Sequence, residues 1–239
     1  MDPAYQLLVH FERGVDGVRV LRELVREWAV STRLPLRSFG KAGEASPDPS
    51  WLCERLEFRG GRDDSALSLR TGRGRKGVDV VDCMFTNPDV ELPYAPNFVS
   101  VRFHHDRIRE QSEGYSLGDM AKLLGAVADS GPVLSGYVDC YANVRAGPIM
   151  HNERAFSAAV RSAGGRSPGW APILWLSVLP STVMKALGQG SDSLARSGLI
   201  RLRDLADGGV VVATHEESPR GNREEVNRVQ TSMRALGWL

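Results

Sequence analysis

The chain has 239 residues, of which 42% are hydrophobic and 25% are charged, and its formal net charge is +1. This length and composition are those of a soluble globular protein with a sizeable core, and length alone does not separate one domain from two. The balanced charge supports neither bulk electrostatic binding of nucleic acid nor a wholly acidic DNA mimic, although local charged patches are compatible with it.

The amino-terminal part of the chain alternates between strand and helix patterns. Leu7–Phe11 predicts an opening strand, and apolar residues at three- and four-residue steps predict a helix from Val18 to Ser31. A loop rich in Gly, Ser and Pro is expected over Leu34–Pro49, followed by a short core helix at Trp51–Leu56. The next expected elements are strands Ser65–Arg70, Val78–Phe85 and Phe98–His104, helix Leu117–Val127, strand Val133–Tyr141 and helix Asn152–Ser162.

The last seventy residues carry the clearest local signals. The apolar run Ala171–Leu179 ends at Pro180, and Asn222 followed by Glu225 resembles a capping box that opens a terminal helix. Between them the pattern predicts an amphipathic piece Thr182–Leu187, an apolar strand Leu199–Leu202, a turn at Asp207-Gly208-Gly209 and a strand Val210–Thr214. The irregular order of strands and helices predicts an α+β fold: a mostly antiparallel sheet with helices packed on one side, in a single domain over residues 1–239.

The three cysteines and the hydropathy of the chain indicate the cellular compartment in which the protein is expected. Cys53, Cys83 and Cys140 are odd in number and lack a Cys-x-x-Cys spacing, so we expect buried thiols in a reducing environment. We find no signal-peptide pattern and no run of about 20 apolar residues that would span a membrane. The expectation is a cytoplasmic protein that does not contact a membrane.

A glycine-rich basic segment, Gly72–Gly77, matches the spacing of a dinucleotide-binding loop. Such a loop needs a following helix whose amides hold a pyrophosphate, whereas this segment joins two predicted strands. We therefore expect a hairpin tip whose basic side chains are solvated or bind an acidic partner or phosphates. These side chains are Arg70, Arg73, Arg75 and Lys76.

A second motif, Gly114–Gly118, matches the nucleophile elbow of serine hydrolases. That elbow follows a buried strand, but the residues before it here are mostly polar and charged. We expect Ser116 to cap a helix instead, with Asp119 three residues later. A hydrolase would require His151 or His215 as the base.

No other residue pattern predicts catalysis or metal binding. The histidines lack ligand spacing, so we expect structural or solvent-facing roles for them, and no metal or cofactor. The acidic pairs Asp63-Asp64 and Glu216-Glu217 lack a positioned companion and are interpreted as solvated loop charges or parts of an interface. We therefore expect no enzymatic activity.

The carboxyl-terminal third has a distinctive order of residues and elements. It consists of Gly169-Trp170, strand Ile173–Leu179, Pro180, Val183, the hairpin from Leu202 through Asp207-Gly208-Gly209 to Thr214, and Asn222 with the final helix. In this order it resembles the immunity protein 52 family of bacterial polymorphic-toxin and type VI secretion systems. The resemblance implies an antitoxin without activity of its own that binds a cognate toxin domain, often a nuclease of the restriction-endonuclease fold.

An antitoxin of this kind would act by covering the active site of the toxin. The basic tip could then address the carboxylates of a nuclease cleft, and the acidic pairs could meet its basic rim. The residues expected to contact the toxin are Arg73, Arg75, Lys76, Asp63, Asp64, Glu216 and Glu217. Two alternatives stay open: a nucleic-acid-binding module that uses Arg70–Lys76, and a serine hydrolase that uses Ser116.

Overall fold

Within the described residues, nine strands and four helices can be given bounds. The computed structural model describes residues 4–12, 14–32, 38–39, 45–46, 80–85, 97–104, 116–140, 173–186 and 191–216, together with 224, 227, 228 and 231. The strands are β1 (Ala4–Phe11), β2 (Ser38–Phe39), β3 (Ala45–Ser46), β4 (Val80–Met84), β5 (Asn97–His104), β6 (Val133–Cys140), β7 (Leu176–Leu179), β8 (Ile200–Asp204) and β9 (Val210–Ala213). The helices are α1 (Gly17–Thr32), α2 (Leu117–Ala128), α3 (Ser181–Ala186) and α4 (Ser191–Arg196).

Seven of the strands form one sheet in the order β4-β5-β1-β6-β7-β9-β8. Every neighbouring pair is antiparallel. The predicted α+β fold with an antiparallel sheet is therefore confirmed. The prediction of an unstructured loop over Leu34–Pro49 is wrong in part, because β2 and β3 pair within it. Two residues per strand are too few to show the alternation on which a strand prediction depends.

The first face of the sheet, which we define as the face covered by α1 and α2, holds the main core. Alternate residues of β1 point to it, and the register of β1 with β5 and β6 extends the apolar layer across the central strands. The buried residues contributed by these three strands are Tyr5, Leu7, Val9, Phe11, Val99, Val101, Phe103, Val133 and Val138. This face explains why the sheet needs two amphipathic helices.

Helix α1 begins where Asp16 caps it. The Asp16 carboxylate accepts hydrogen bonds from the amides of Val18 at 3.0 Å and Arg19 at 3.1 Å, which satisfies two amides that the first turn leaves without a helical partner. The apolar part of the buried stripe of α1 ends at Trp28, whose ring meets Phe103 edge to face at a centroid distance of 5.2 Å. The carboxyl end of α1 is thereby fixed over the carboxyl end of β5.

Asp129 ends α2 and ties it to the β8–β9 hairpin. Its carboxylate accepts hydrogen bonds from Arg203 Nη2 at 2.7 Å and from the amide of Ala206 at 2.8 Å. Arg203 also donates to the carbonyl oxygen of Lys122 at 3.0 Å. Gly125 makes room for this arginine, because a Cβ atom there would lie 2.6 Å from Arg203 Cδ. The hairpin is thus held against the helix by contacts between residues more than seventy positions apart.

Helices α3 and α4 pack on the opposite, second face of the sheet. They contribute Met184 and Leu194 to an apolar cluster with Leu179, Val210 and Val212. The expectation that helices cover one side only is therefore wrong. The second face of β7 and β9 is apolar, so it also has to be buried, and two helices of six residues each are enough to cover it.

Helix α4, which the sequence analysis did not predict, ends in a Schellman motif. The Leu199 amide donates to the Leu194 carbonyl oxygen at 3.2 Å, and the Gly198 amide donates to Ala195 at 3.0 Å. Gly198 adopts φ +77°, the left-handed conformation that this motif requires. Leu194 and Leu199 then meet in the second-face cluster, which leads the chain directly into β8.

The turn between β8 and β9 follows the prediction at Asp207-Gly208-Gly209. Asp207 Oδ1 accepts a hydrogen bond from the Gly209 amide at 2.8 Å, and Gly208 has φ +88°. Toward the carboxyl terminus the described residues Glu224, Asn227, Arg228 and Thr231 are helical and exposed, in agreement with a terminal helix. The predicted elements Trp51–Leu56, Ser65–Arg70 and Asn152–Ser162 lie outside the described residues.

Candidate functional site

One of the seven predicted toxin contacts lies in the described part of the chain. Glu216 follows β9 and is exposed. The other six lie outside the described residues, so their placement stays a prediction: Arg73, Arg75, Lys76, Asp63, Asp64 and Glu217. The local surroundings of Glu216 are therefore the part of the predicted interface that can be built from contacts.

The chain segment that presents Glu216 is tightly held. The Thr214 amide donates to the Trp175 carbonyl oxygen at 2.9 Å, and Trp175 Nε1 donates to the His215 carbonyl oxygen at 3.2 Å. Thr214 Oγ1 and His215 Nδ1 share a further hydrogen bond of 2.7 Å. Thr214, His215 and Trp175 are all buried. An exposed carboxylate thus follows directly on two buried residues, and the backbone that carries it is well ordered by hydrogen bonds.

A buried carboxylate connects this segment to the centre of the sheet. Asp139 on β6 is fully buried, and its Oδ2 accepts a hydrogen bond from the Trp175 amide at 2.9 Å. Its Oδ1 accepts from the Cys140 amide at 2.5 Å. Because a buried carboxylate is costly unless it is hydrogen-bonded, these two amides explain how Asp139 is tolerated. Trp175 directly precedes β7, so Asp139 holds the chain at the start of that strand.

Asp139 belongs to a polar row on the second face of the central strands. It lies opposite Gln6 in the register of β1 and β6, and Gln6 Nε2 donates to Ser100 Oγ on β5 at 2.9 Å. Gln6, Ser100 and Asp139 are all buried. Sequence reasoning missed this row. Its only sequence signal is a charged residue inside the otherwise apolar strand Val133–Tyr141.

His10 lies on the same face, where burial lowers the pKa of its imidazole from 6.5 to about 4. Its ring lies 5.9 Å from the Phe98 ring, and its backbone faces Ser135 in the register of β6. The imidazole is therefore neutral at pH 7 and is a component of the sheet face, as the structural interpretation predicted. In the described ranges no group of three or more His, Cys, Asp or Glu side chains is arranged to hold a metal ion.

Ser116 caps α2, as predicted. Its Oγ accepts a hydrogen bond from the Asp119 amide at 3.1 Å and donates to the Asp119 carboxylate at 2.7 Å. The hydroxyl is thus engaged in both directions by one residue of the first turn, which is the geometry of a helix cap. Of the two alternative bases for a hydrolase, His151 lies outside the described residues, and His215 is buried against Trp175.

The described cysteines and tryptophans agree with their predicted core positions. Cys83 and Cys140 are free, buried thiols, and Trp28 and Trp175 are buried. None of the described helices combines the length and apolar character that crossing a bilayer requires; the longest, α1, has 16 residues.

Comparison with known proteins identifies a solved structure with a similar fold. No family model matches the chain, and no curated protein matches it. The resemblance to the immunity protein 52 family is therefore not confirmed. Among solved structures the chain is similar to the Pseudomonas aeruginosa T6SS protein PA0821, with a TM-score of 0.53 and 15% sequence identity. The similarity covers 96% of this chain and 73% of that one, so the two proteins share an overall fold.

Proposed function

We propose that this protein is an immunity protein that binds and neutralises a cognate secreted toxin. The observation that carries the proposal is the similarity in fold to a type VI secretion protein over 96% of the chain. The resemblance of the carboxyl-terminal third to immunity proteins supports the same class of function. A cytoplasmic location in the producing cell is part of this proposal.

The chemistry of the described residues is compatible with a binding protein. Ser116 uses its hydroxyl to cap α2, and the imidazole of His10 is neutral because its pKa is lowered to about 4. His215 is buried and hydrogen-bonded to Thr214. These side chains make the structural contacts just named, and the charged side chain of Glu216 is exposed.

Neutralisation would follow from occlusion of the toxin's active site. A stable protein–protein interface buries about 800 Å² on each partner, which is enough to cover a catalytic cleft. A toxin of the nuclease class offers metal-binding carboxylates inside a basic rim, and Glu216 would address that rim. Because Glu216 is carried by a hydrogen-bonded segment, little conformational freedom is lost on binding.

The test is co-expression with the toxin domain encoded beside the gene for this protein. If the proposal is correct, the toxin domain alone stops growth, co-expression restores it, and the two proteins co-purify in a fixed ratio. Restored growth without a stable complex would contradict neutralisation by binding. Labelling of Ser116 by a fluorophosphonate probe would instead favour a hydrolase. Salt-dependent binding of duplex DNA by the isolated protein would favour a nucleic-acid-binding module.

A further inference from the structure

The outward face of α1 carries three arginines in line and one apolar side chain. Helical spacing places Arg19, Arg22, Arg26 and Val30 on one side of α1, opposite the buried stripe that includes Leu24. From first to last these residues span about 16 Å along the helix axis. All four are exposed, and we refer to them as the arginine ridge.

Val30 makes the ridge more than a row of solvated charges. It is 67% exposed and is the large hydrophobic residue that stands out on the described surface. It lies one turn beyond Arg26, so an apolar contact and a guanidinium can engage the same partner surface. Arginine is enriched at the energetic centres of protein interfaces, whereas lysine is depleted, and every basic residue of the ridge is arginine.

The charges of the ridge favour a partner with exposed carboxylates. Arg26 is oriented by an ion pair with Glu23 at 2.5 Å. Arg19 and Arg22 have no ion-pair partner within the described residues, so each guanidinium group can donate two hydrogen bonds to one carboxylate.

The same face does not suit a nucleic acid. Glu23 and Glu27 border the ridge along its length and are half-buried beside it. These two carboxylates repel phosphates and partner carboxylates alike, so it is Val30 that separates the two kinds of partner: it would contribute nothing to a phosphate contact, whereas a protein surface can offer it an apolar spot. A protein surface that combines carboxylates with an apolar spot matches both features.

The ridge is also held rigidly by the helix that carries it. Asp16 caps the first turn, and the Phe85 ring closes on Gly17, where a Cβ atom would lie 2.5 Å from it. Trp28 fixes the last turns against Phe103. A surface on a helix anchored at both ends loses little freedom on binding.

We propose that the arginine ridge docks an acidic protein surface of the toxin, with Val30 entering an apolar spot among the carboxylates. This inference rests on the proposed function, because the partner is the toxin that the protein neutralises. It adds contact residues that are not among those of the basic tip and the acidic pairs that the sequence predicted.

The experiment compares two triple variants of the full-length protein that each remove three positive charges. Arg19→Ala/Arg22→Ala/Arg26→Ala alters the ridge, and Lys122→Ala/Lys185→Ala/Arg201→Ala alters exposed positions elsewhere. Calorimetry and stopped-flow fluorescence give the Kd and the association rate with the toxin domain encoded beside this gene. The ridge variant should raise Kd on the order of 100-fold and lose most of the salt dependence of association. The control variant should change Kd less than about threefold.

A third variant, Val30→Ser, isolates the apolar contact and should weaken binding roughly tenfold. Circular dichroism and thermal melting should be unchanged in all variants, since the altered side chains are exposed. If the wild type and the ridge variant bind the toxin equally well, the ridge proposal is wrong and the proposed function stands. If the wild type neither binds nor protects, the proposed function itself fails. A DNA shift by the wild type that the ridge variant loses would assign the ridge to nucleic acid.

Discussion

The two faces of the central sheet bury their side chains in different ways. On the first face, β1, β5 and β6 present apolar residues to α1 and α2 in one continuous cluster. On the second face of the same strands, the apolar cluster is reduced to Leu8, Tyr137 and Leu174, with polar residues between. Among these are the hydrogen-bonded pair of Gln6 and Ser100 and the carboxylate of Asp139.

This difference suggests that the first face mainly stabilises the fold, whereas the second face mainly positions the chain segments next to it. Apolar burial is non-directional and scales with area, so the first face supplies most of the free energy of folding. Hydrogen bonds of buried polar groups contribute less net free energy, but they fix geometry because each partner must be met at one distance and angle. On the second face, the hydrogen bond from the Trp175 amide to Asp139 holds the chain just before β7. The hydrogen bond from Trp175 Nε1 to the His215 carbonyl oxygen holds the chain just after β9, next to the exposed Glu216.

The largest effect is expected from truncation in the first-face core. Leu124→Ala should lower the free energy of unfolding by about 3 kcal/mol, since Leu124 is fully buried. The same truncation at Leu8 on the second face should cost less, about 2 kcal/mol. Urea denaturation measures both, with Lys122→Ala as an exposed control on α2 that should stay within about 0.5 kcal/mol. If Leu8→Ala lowered the free energy of unfolding more than Leu124→Ala does, the first face would not be the main source of stability.

An intermediate effect is expected at Asp139. Asp139→Ala leaves the amides of Trp175 and Cys140 without this acceptor and should cost about 2 kcal/mol. Asp139→Asn keeps one acceptor oxygen and should lower the free energy of unfolding less than Asp139→Ala does. Hydrogen exchange at the Trp175 amide is the specific readout, because loss of positioning should speed exchange there more than in α2. Uniform acceleration across the sheet would mean that Asp139 acts on global stability alone.

The smallest effect is a pH dependence from His10, whose folded-state pKa is lowered to about 4. Above pH 6.5 the imidazole is neutral in both states and contributes no pH dependence. As the pH falls from 6.5 toward 4, the unfolded chain takes up the proton and the folded protein does not, so stability is lost. The loss should reach about 1 kcal/mol, less than the full shift implies, because His10 is only half-buried by area.

The matched measurement for His10 is the free energy of unfolding of the wild type and of His10→Gln between pH 7.5 and 4.5. The difference between the two curves should fall only below pH 6.5, since the other acidic groups titrate in both proteins. A constant difference over the whole range would show that His10 is solvated in the folded state.

Much of this architecture could be predicted because its causes are local. The apolar period of α1, the cap at Ser116 and the turn at Asp207-Gly208-Gly209 each depend on residues within a few positions of one another. The antiparallel sheet followed from strands separated by turns. Helix α4 was missed because Leu194 is the one large apolar residue among its six, so the segment shows no apolar period.

The candidate site could not be predicted in the same way, since its contacts join distant parts of the chain. Asp139 accepts a hydrogen bond from the amide of Trp175, which lies 36 residues later in the chain. The sequence around Asp139 does not indicate that pairing. The ridge on α1 was visible only as the polar face of an amphipathic helix. Its distinguishing features, the exposure of Val30 and the orientation of Arg26 by Glu23, require the folded helix.

The first strand of the chain occupies the middle of the sheet, between β5 and β6. During synthesis β1 emerges before either neighbour, and the ribosome must add 93 residues after Phe11 to complete β5 at His104. At typical elongation rates that interval is roughly 5 to 20 seconds. Over this time a nascent chain carries an apolar strand with two unpaired edges, so chaperone binding to the first dozen residues is expected to govern the yield of folded protein in the cell.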